Sequence, residues 1–375
     1  MKKKILCALL AACMAAVGAG CSAGDARVNF DADKPWSNYE TSTYKIERFF
    51  MNGETRVKTV AEGTYVSTLR SDTDKTTVKN EFTLAYNNEP ETTVMDERGN
   101  LMANKGLTDK FYGEVTFAND SLAPVSAARN TNFSSTENYG LAQRPLNDDA
   151  MPALQESSDE GASHFFNLSS GVKYSDPRGY SYTVDYEQNK AKYSTTSGST
   201  SSDFVRTYKN VNTEISLAGN TRFENEQLNY VVRALSAINR EGSATFYLAS
   251  IHDSYARGDY VRYTMNVSCD KNHSTVDVSL PGELKFVNPE NQEIEKSENG
   301  KYSLPCVKAT VSVSSETPGP GIKFYVTDPS ITVIGKNNVK TKKLITQIVF
   351  TEYAVTSAKL AYETVYTLID YTNSL

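Results

Sequence analysis

Histidine is almost missing from this chain, with three in 375 residues. That excludes a histidine-rich metal cluster or a relay of several imidazoles, and leaves room only for a single catalytic imidazole. Tryptophan is rarer still, one residue against 23 tyrosines, which weakens a sugar-platform reading and leaves a protein-binding surface open. No basic excess exists either: 45 acidic residues outweigh 39 basic ones for a formal charge of -6. A nucleic-acid partner held by phosphate neutralisation is therefore disfavoured. Catalytic motifs are missing too, with no Gly-x-Ser-x-Gly elbow, no Gly-x-x-x-x-Gly-Lys loop and no His-Glu-x-x-His helix.

Two short constellations look chemical and are better explained by structure. His252-Asp253-Ser254 sets three triad residue types side by side, but a triad is assembled across space, so a strand-end turn is expected there. Asp72 and Asp74 have the spacing that begins an oxygen-ligand calcium loop, yet the later Gly and Glu are absent and a solvated hairpin fits better. No cofactor and no metal site are expected. A paired-carboxylate hydrolase stays open only because its two acids need not be near in sequence.

What is present begins at the N-terminus. Lys2, Lys3 and Lys4 precede an apolar run from Ile5 to Val17, the pattern of an export signal and too short for an ordinary spanning helix. Val17-Gly18-Ala19-Gly20-Cys21 resembles a bacterial lipobox, with Gly18 where a larger aliphatic is usual. The expectation is a signal peptide over 1–20, lipidation at Cys21, a polar tether over 21–42 and a β-rich body over 43–375. Losing the signal removes three lysines, so membrane attachment would rest on acyl chains rather than a basic patch. Cys7 and Cys13 leave with the signal. Cys269 and Cys306 remain as a disulfide candidate, closing a loop of about 36 residues worth roughly 3 to 4 kcal/mol, with two buried free thiols as the alternative.

The body is dominated by strand patterns. Tyr180, Tyr182, Val184 and Tyr186 alternate with Ser181, Thr183 and Asp185, and Asn52-Gly53 marks a hairpin. Further strands are expected through Lys110–Phe117, Pro124–Phe133, Phe204–Ile215, Ile322–Thr327, Leu344–Phe350 and Ala358–Tyr371. A long loop is expected near 137–163. One helix is expected near 225–241, capped by Asn225 or Asn220, because Leu228, Val231, Val232, Leu235 and Ile238 fall on one face. That face either fills the core or lines a pocket. Glu224 and Glu226, at its start, complement the helix dipole.

The segment Phe223–Leu235, together with Val115-Thr116-Phe117-Ala118-Asn119-Asp120-Ser121-Leu122-Ala123-Pro124-Val125, resembles bacterial half-barrel lipoproteins of the lipoprotein-carrier (LolA/LolB-like) superfamily. The resemblance implies a strongly curved antiparallel sheet with one plugging helix, whose concave side binds lipid or acyl groups or acts as a scaffold. The expected function is a non-enzymatic, membrane-anchored envelope protein binding an apolar or lipid ligand. The alternative is a scaffold or adhesin-like surface that meets an envelope protein or a glycan.

Overall fold

The computed structural model describes residues 28–86, 93–95, 101–103, 108–134, 180–200, 206–217, 223–239, 242–281, 284–313, 321–353 and 360–374. Cys21 and the loop expected near 137–163 lie outside them. In chain order the strands are β1 (Tyr39–Asn52), β2 (Thr55–Ser71), β3 (Lys75–Tyr86), β4 (Thr93–Met95), β5 (Leu101–Ala103), β6 (Thr108–Ala118) and β7 (Pro124–Ser134). There follow β8 (Tyr180–Asp185), β9 (Lys190–Thr200), β10 (Arg206–Ser216), β11 (Gly242–Ala249), β12 (Arg262–Val278), β13 (Lys285–Val287) and β14 (Tyr302–Val313). The last are β15 (Gly321–Thr327), β16 (Thr332–Ile334), β17 (Lys340–Lys342), β18 (Ile345–Tyr353) and β19 (Leu360–Thr372).

Fourteen of them form one antiparallel sheet in the order β10-β9-β8-β7-β6-β3-β2-β1-β19-β18-β15-β14-β12-β11. It does not close on itself, because β10 and β11 are edges. The period-2 patterning explains the sheet's two faces: Tyr180, Tyr182 and Val184 are buried while Thr183 is exposed and Ser181 half-buried. Hairpin chemistry sets the first registers. Gly53 adopts the left-handed φ of 61° that the β1–β2 turn requires. At the next turn Asp72 Oδ1 accepts the backbone N–H of Asp74 and Lys75, at 3.0 and 2.8 Å, so this carboxylate organises a hairpin.

At the β12–β15 end the sheet is buried on both sides. Along β14, Tyr302, Leu304 and Cys306 pack on one face and Val307, Ala309 and Val311 on the other. A small sheet of β13, β16 and β17 lies on the first side, where Phe286 stands 4.9 Å from Tyr302 and the Tyr302 hydroxyl donates to the Leu284 carbonyl. This arrangement overturns the expected disulfide: Cys269 and Cys306 are both buried and free. Cys269 pairs in register with Ala309, three positions along β14 from Cys306, so the two thiols leave the sheet on opposite faces.

The expected single helix is three pieces. A 3₁₀ turn (Asn225–Gln227) leads into α1 (Leu228–Ala234), and a second 3₁₀ turn (Ser236–Asn239) follows. Glu224, not Asn225, caps it in a reciprocal capping box with Gln227, and the other expected cap, Asn220, lies outside the described residues. Leu235 breaks the helix at ψ 128° and bridges Phe30 instead. The same contact corrects the tether. Residues 28–38 lie on the body, with Asp31 N–H bonded to the Ala234 carbonyl and Lys342 N–H to that of Pro35, and Trp36 buried. The triad-like run is also different from expectation, being a helix, α2 (Ile251–Arg257), capped by Ser250 and ended by Gly258 at φ 75°.

Candidate functional site

The piece from Phe223 to Asn239, which packs on the inner face of the sheet, organises the interior. Leu228, Val231, Val232 and Leu235 are at most 1% exposed. Each contributes about 1.5 to 3 kcal/mol of burial, and the sequence's choice between core and pocket wall resolves to core. Every residue of α1 is buried, including Asn229 and Arg233, so this helix is enclosed on all sides and its polar groups need partners.

Those partners come from strands far away in sequence. At the N-terminal end, Glu226 Oε1 accepts from Arg129 Nη1 of β7 at 2.6 Å, with both side chains no more than 1% exposed. Its Oε2 and its own carbonyl accept from Asn80 Nδ2 of β3 at 3.0 and 2.8 Å. The Arg129 guanidinium also lies over the Phe111 ring, 4.4 Å from its centroid. Gly113 of β6 makes room for the carboxylate, since a Cβ there would sit 2.3 Å from Glu226 Cδ. Glu224 accepts hydrogen bonds from the Tyr186 hydroxyl and the Asn225 N–H. Burial pushes its carboxyl up to about 7, the neighbouring Glu226 charge adding to the shift and the Tyr186 bond opposing it. Gln227 Nε2 reaches the carbonyl of Leu122, the residue of the Leu-x-Pro corner, which stands at φ 56°.

At the other end Arg233 binds Glu40 through both nitrogens, at 2.6 and 3.3 Å, and donates to the carbonyls of Lys342 and Pro35. Lys343 pairs with Asp31 and donates to the Leu235 carbonyl. Burial lowers the Lys343 pKa against the pull of Asp31. The sequence reading missed both charge systems, because partners separated by 97 and 193 positions leave no spacing signal.

The triad-like residues are dispersed. His252 Nδ1 lies 2.6 Å from the Tyr193 hydroxyl, and its ring stacks on Tyr180 at 4.4 Å. Asp253 accepts from Ser250 and Tyr263. Ser254 donates to the Ser250 carbonyl and accepts the Val261 N–H. Asp253 and Ser254 thus share Ser250 as a partner, while His252 turns to Tyr193 and Tyr180. Their contacts instead tie α2, which follows edge strand β11, to β8 and β9 near the opposite edge.

Two concavities differ sharply in size. Inside, a crevice bordered by Tyr65, Phe111, Asn229, Phe324, Phe350 and Tyr366 holds about 20 Å³, room for one water. Outside, a trough of about 590 Å³ crosses β6 to β10, with Tyr112, Asn130, Thr183, Lys192, Asn212 and Glu214 among its walls and floor. Among the described residues no group of three or more His, Cys, Asp or Glu is arranged to hold a metal ion.

No family model matches the chain, and no curated protein matches it in sequence. Among solved structures, a beta-barrel-like protein of a domain of unknown function, DUF1849, from Brucella abortus is similar over 91% of this chain and 99% of its own, at 9% identity and a TM-score of 0.42.

Proposed function

We propose that this chain is an exported, lipid-anchored, non-enzymatic binding protein of the cell envelope. In this reading it is a plugged half-barrel of the lipoprotein-carrier kind that presents the outer face of its sheet to an envelope protein or glycan. The observation that carries it is the contrast, among the described residues, between an inner crevice of about 20 Å³ beside the buried helix and an outer trough of about 590 Å³. Contacts of β12 with β18 and β19, and of α2 with β9 and β10, support strong curvature, because these elements are well separated in the strand order. The charged start at Lys2–Lys4 and the lipobox at Cys21 support the anchor.

A second reading, an apolar or lipid ligand inside the sheet, is favoured by the aromatic walls of the inner crevice. It requires Asn229 and the plug to move aside, breaking the Asn229–Tyr65 bond. Native mass spectrometry of the full-length protein, extracted from membranes and followed by solvent extraction, separates the two. The outer-face reading expects a covalent mass gain that Cys21→Ser abolishes, and no extractable lipid at unit stoichiometry. An extractable lipid bound one to one would overturn it in favour of the interior ligand.

A further inference from the structure

Where the chain enters the body decides how a lipid anchor at Cys21 holds it. The described residues begin at Val28, and from there to Asn38 the chain is docked on the body. The Asn29 carbonyl accepts the Ser236 N–H and hydroxyl at 3.0 and 2.7 Å. Phe30 bridges Leu235 and meets the Phe223 ring edge-on at 5.8 Å, while Asp31 takes Asn239 Nδ2 at 2.7 Å as well as Lys343. Further along, the Pro35 carbonyl accepts the Lys342 N–H at 2.8 Å, Trp36 packs edge-on against Tyr230 at 5.5 Å, and the Asn38 carbonyl accepts the Ser71 N–H at 2.8 Å. This strap is held along its whole length, so it moves with the body.

Residues 22–27 alone separate Cys21 from Val28. That stretch reaches at most about 25 Å from the lipidated residue to Val28, whereas a tether free up to residue 43 would reach about 75 Å. A folded chain of 375 residues has a radius of gyration of about 21 Å and hence a diameter of about 54 Å. A tether longer than the body lets any face meet the bilayer. One of about half the diameter does not: Val28 stays within about 25 Å of the lipid surface, and the side opposite it is turned away. The described surface positions beside the entry point, Asn29, Ser236, Asn239, Gly242 and Ser243, are short and uncharged, so a headgroup layer can approach them closely.

We propose that the end of the body around Val28, Ser236, Asn239 and Ser243 is its membrane-facing surface, and that residues 28–38 are a fixed strap orienting the body against the bilayer that carries Cys21. The proposal rests on the lipid-anchored reading of function and adds a direction to it. The β1–β2 turn lies far from this surface. Glu40, which holds Arg233 beside the strap, stands at the start of β1, and about 35 Å of strand separates it from the level of Val57.

Energy transfer on the full-length lipidated protein tests it. A fluorescent amino acid is placed at position 243 or position 57, where Ser243 and Val57 are both exposed, and the protein is bound from detergent to preformed phosphatidylcholine vesicles carrying a rhodamine-labelled lipid. Transfer from position 243 should exceed that from position 57 at least twofold. Inserting about twenty Gly and Ser residues between Ala26 and Arg27 lengthens the tether beyond the body diameter and should cut that difference by more than half. Trp36, the chain's one tryptophan, reports on the strap, and its emission should be the same with and without the insertion. Equal transfer from the two positions overturns the proposal, as does a preference for position 243 that survives the insertion, or a red shift of Trp36 showing that the strap detaches. In each of these cases vesicle binding that Cys21→Ser abolishes keeps the anchor itself. Vesicle binding indifferent to Cys21→Ser removes the anchor, and the proposal with it.

Discussion

The two ends of the interior plug solve the same problem with different charge counts. At the end near β1, each cation has its own carboxylate: Arg233 takes Glu40 and Lys343 takes Asp31. At the end near β7, Glu224 and Glu226 stand two residues apart, and Arg129 is the guanidinium that pairs with Glu226. The matched end can keep all its charges buried at neutral pH. At the other, burial and the neighbouring charge leave Glu224 half-protonated near pH 7, held only by neutral donors, the Tyr186 hydroxyl and a backbone N–H. Charge balance, more than depth, decides which end of the plug responds to protons.

The largest expected effect comes from removing the shared guanidinium. Arg129→Met leaves Glu226 buried with only the Asn80 amide, and Glu224 still beside it, so a loss of about 3 to 5 kcal/mol is expected in urea unfolding at pH 7. Arg233→Met should fall near the lower end of the same range, because Glu40 stays alone rather than beside a second acid and also accepts the Ser37 N–H at 3.1 Å. An Arg233 loss equal to or larger than the Arg129 loss would break the comparison.

Proton linkage sharpens it next. The folded pKa of Glu224 lies above its ordinary 4.5, so the folded state holds the proton more tightly than the unfolded chain. Stability from this group is therefore fully present below pH 4.5 and falls as pH rises through the window up to about 7. The whole change is on the order of 3 kcal/mol. Glu224→Gln can accept the Asn225 N–H through oxygen and donate to a turned Tyr186 hydroxyl, so it mimics the protonated form. Denaturant midpoints measured from pH 4 to 8 should decline more steeply for the parent than for this variant. Parallel curves would show that Glu224 does not carry the proton.

Much of the sheet was readable from residues because strand alternation is a local signal. Asn52-Gly53, the Tyr180–Val184 alternation and the C-terminal strand, expected over Ala358–Tyr371 and observed as Leu360–Thr372, all follow from neighbours within a few positions. Helical spacing was a weaker guide. Leu228, Val231, Val232, Leu235 and Ile238 all reach the core as their pattern implies, yet a short α-helix followed by a 3₁₀ turn satisfies the same spacing, and the break at Leu235 is held by distant partners, the bridge from Phe30 and the Lys343 bond to the Leu235 carbonyl. Glu226 illustrates the remaining gap. On sequence it is a first-turn acid suited to a helix dipole, and only the packing of β3, β6 and β7 over it makes it a buried ion-pair partner. The outer trough depended likewise on five strands coming into register, which no single segment encodes.

Gly113 gives the smallest expected effect and the closest test of how rigid the acid-rich end is. A Cβ at this position would approach the Glu226 carboxyl carbon to 2.3 Å, so one of the two must move. A free carboxylate would swing away at little cost. This one is fixed by Arg129 on one oxygen and Asn80 on the other, so Gly113→Ala should cost about 1 to 3 kcal/mol. The cost should shrink when Arg129→Met is already present, because the carboxylate is then free to yield. A double-mutant cycle should return a coupling of about 0.5 to 3 kcal/mol between positions 113 and 129. Strict additivity would mean that the alanine is resisted by the backbone of β6 rather than by the held carboxylate. The clamp between Arg129, Glu226 and Asn80 would then be softer than its distances indicate.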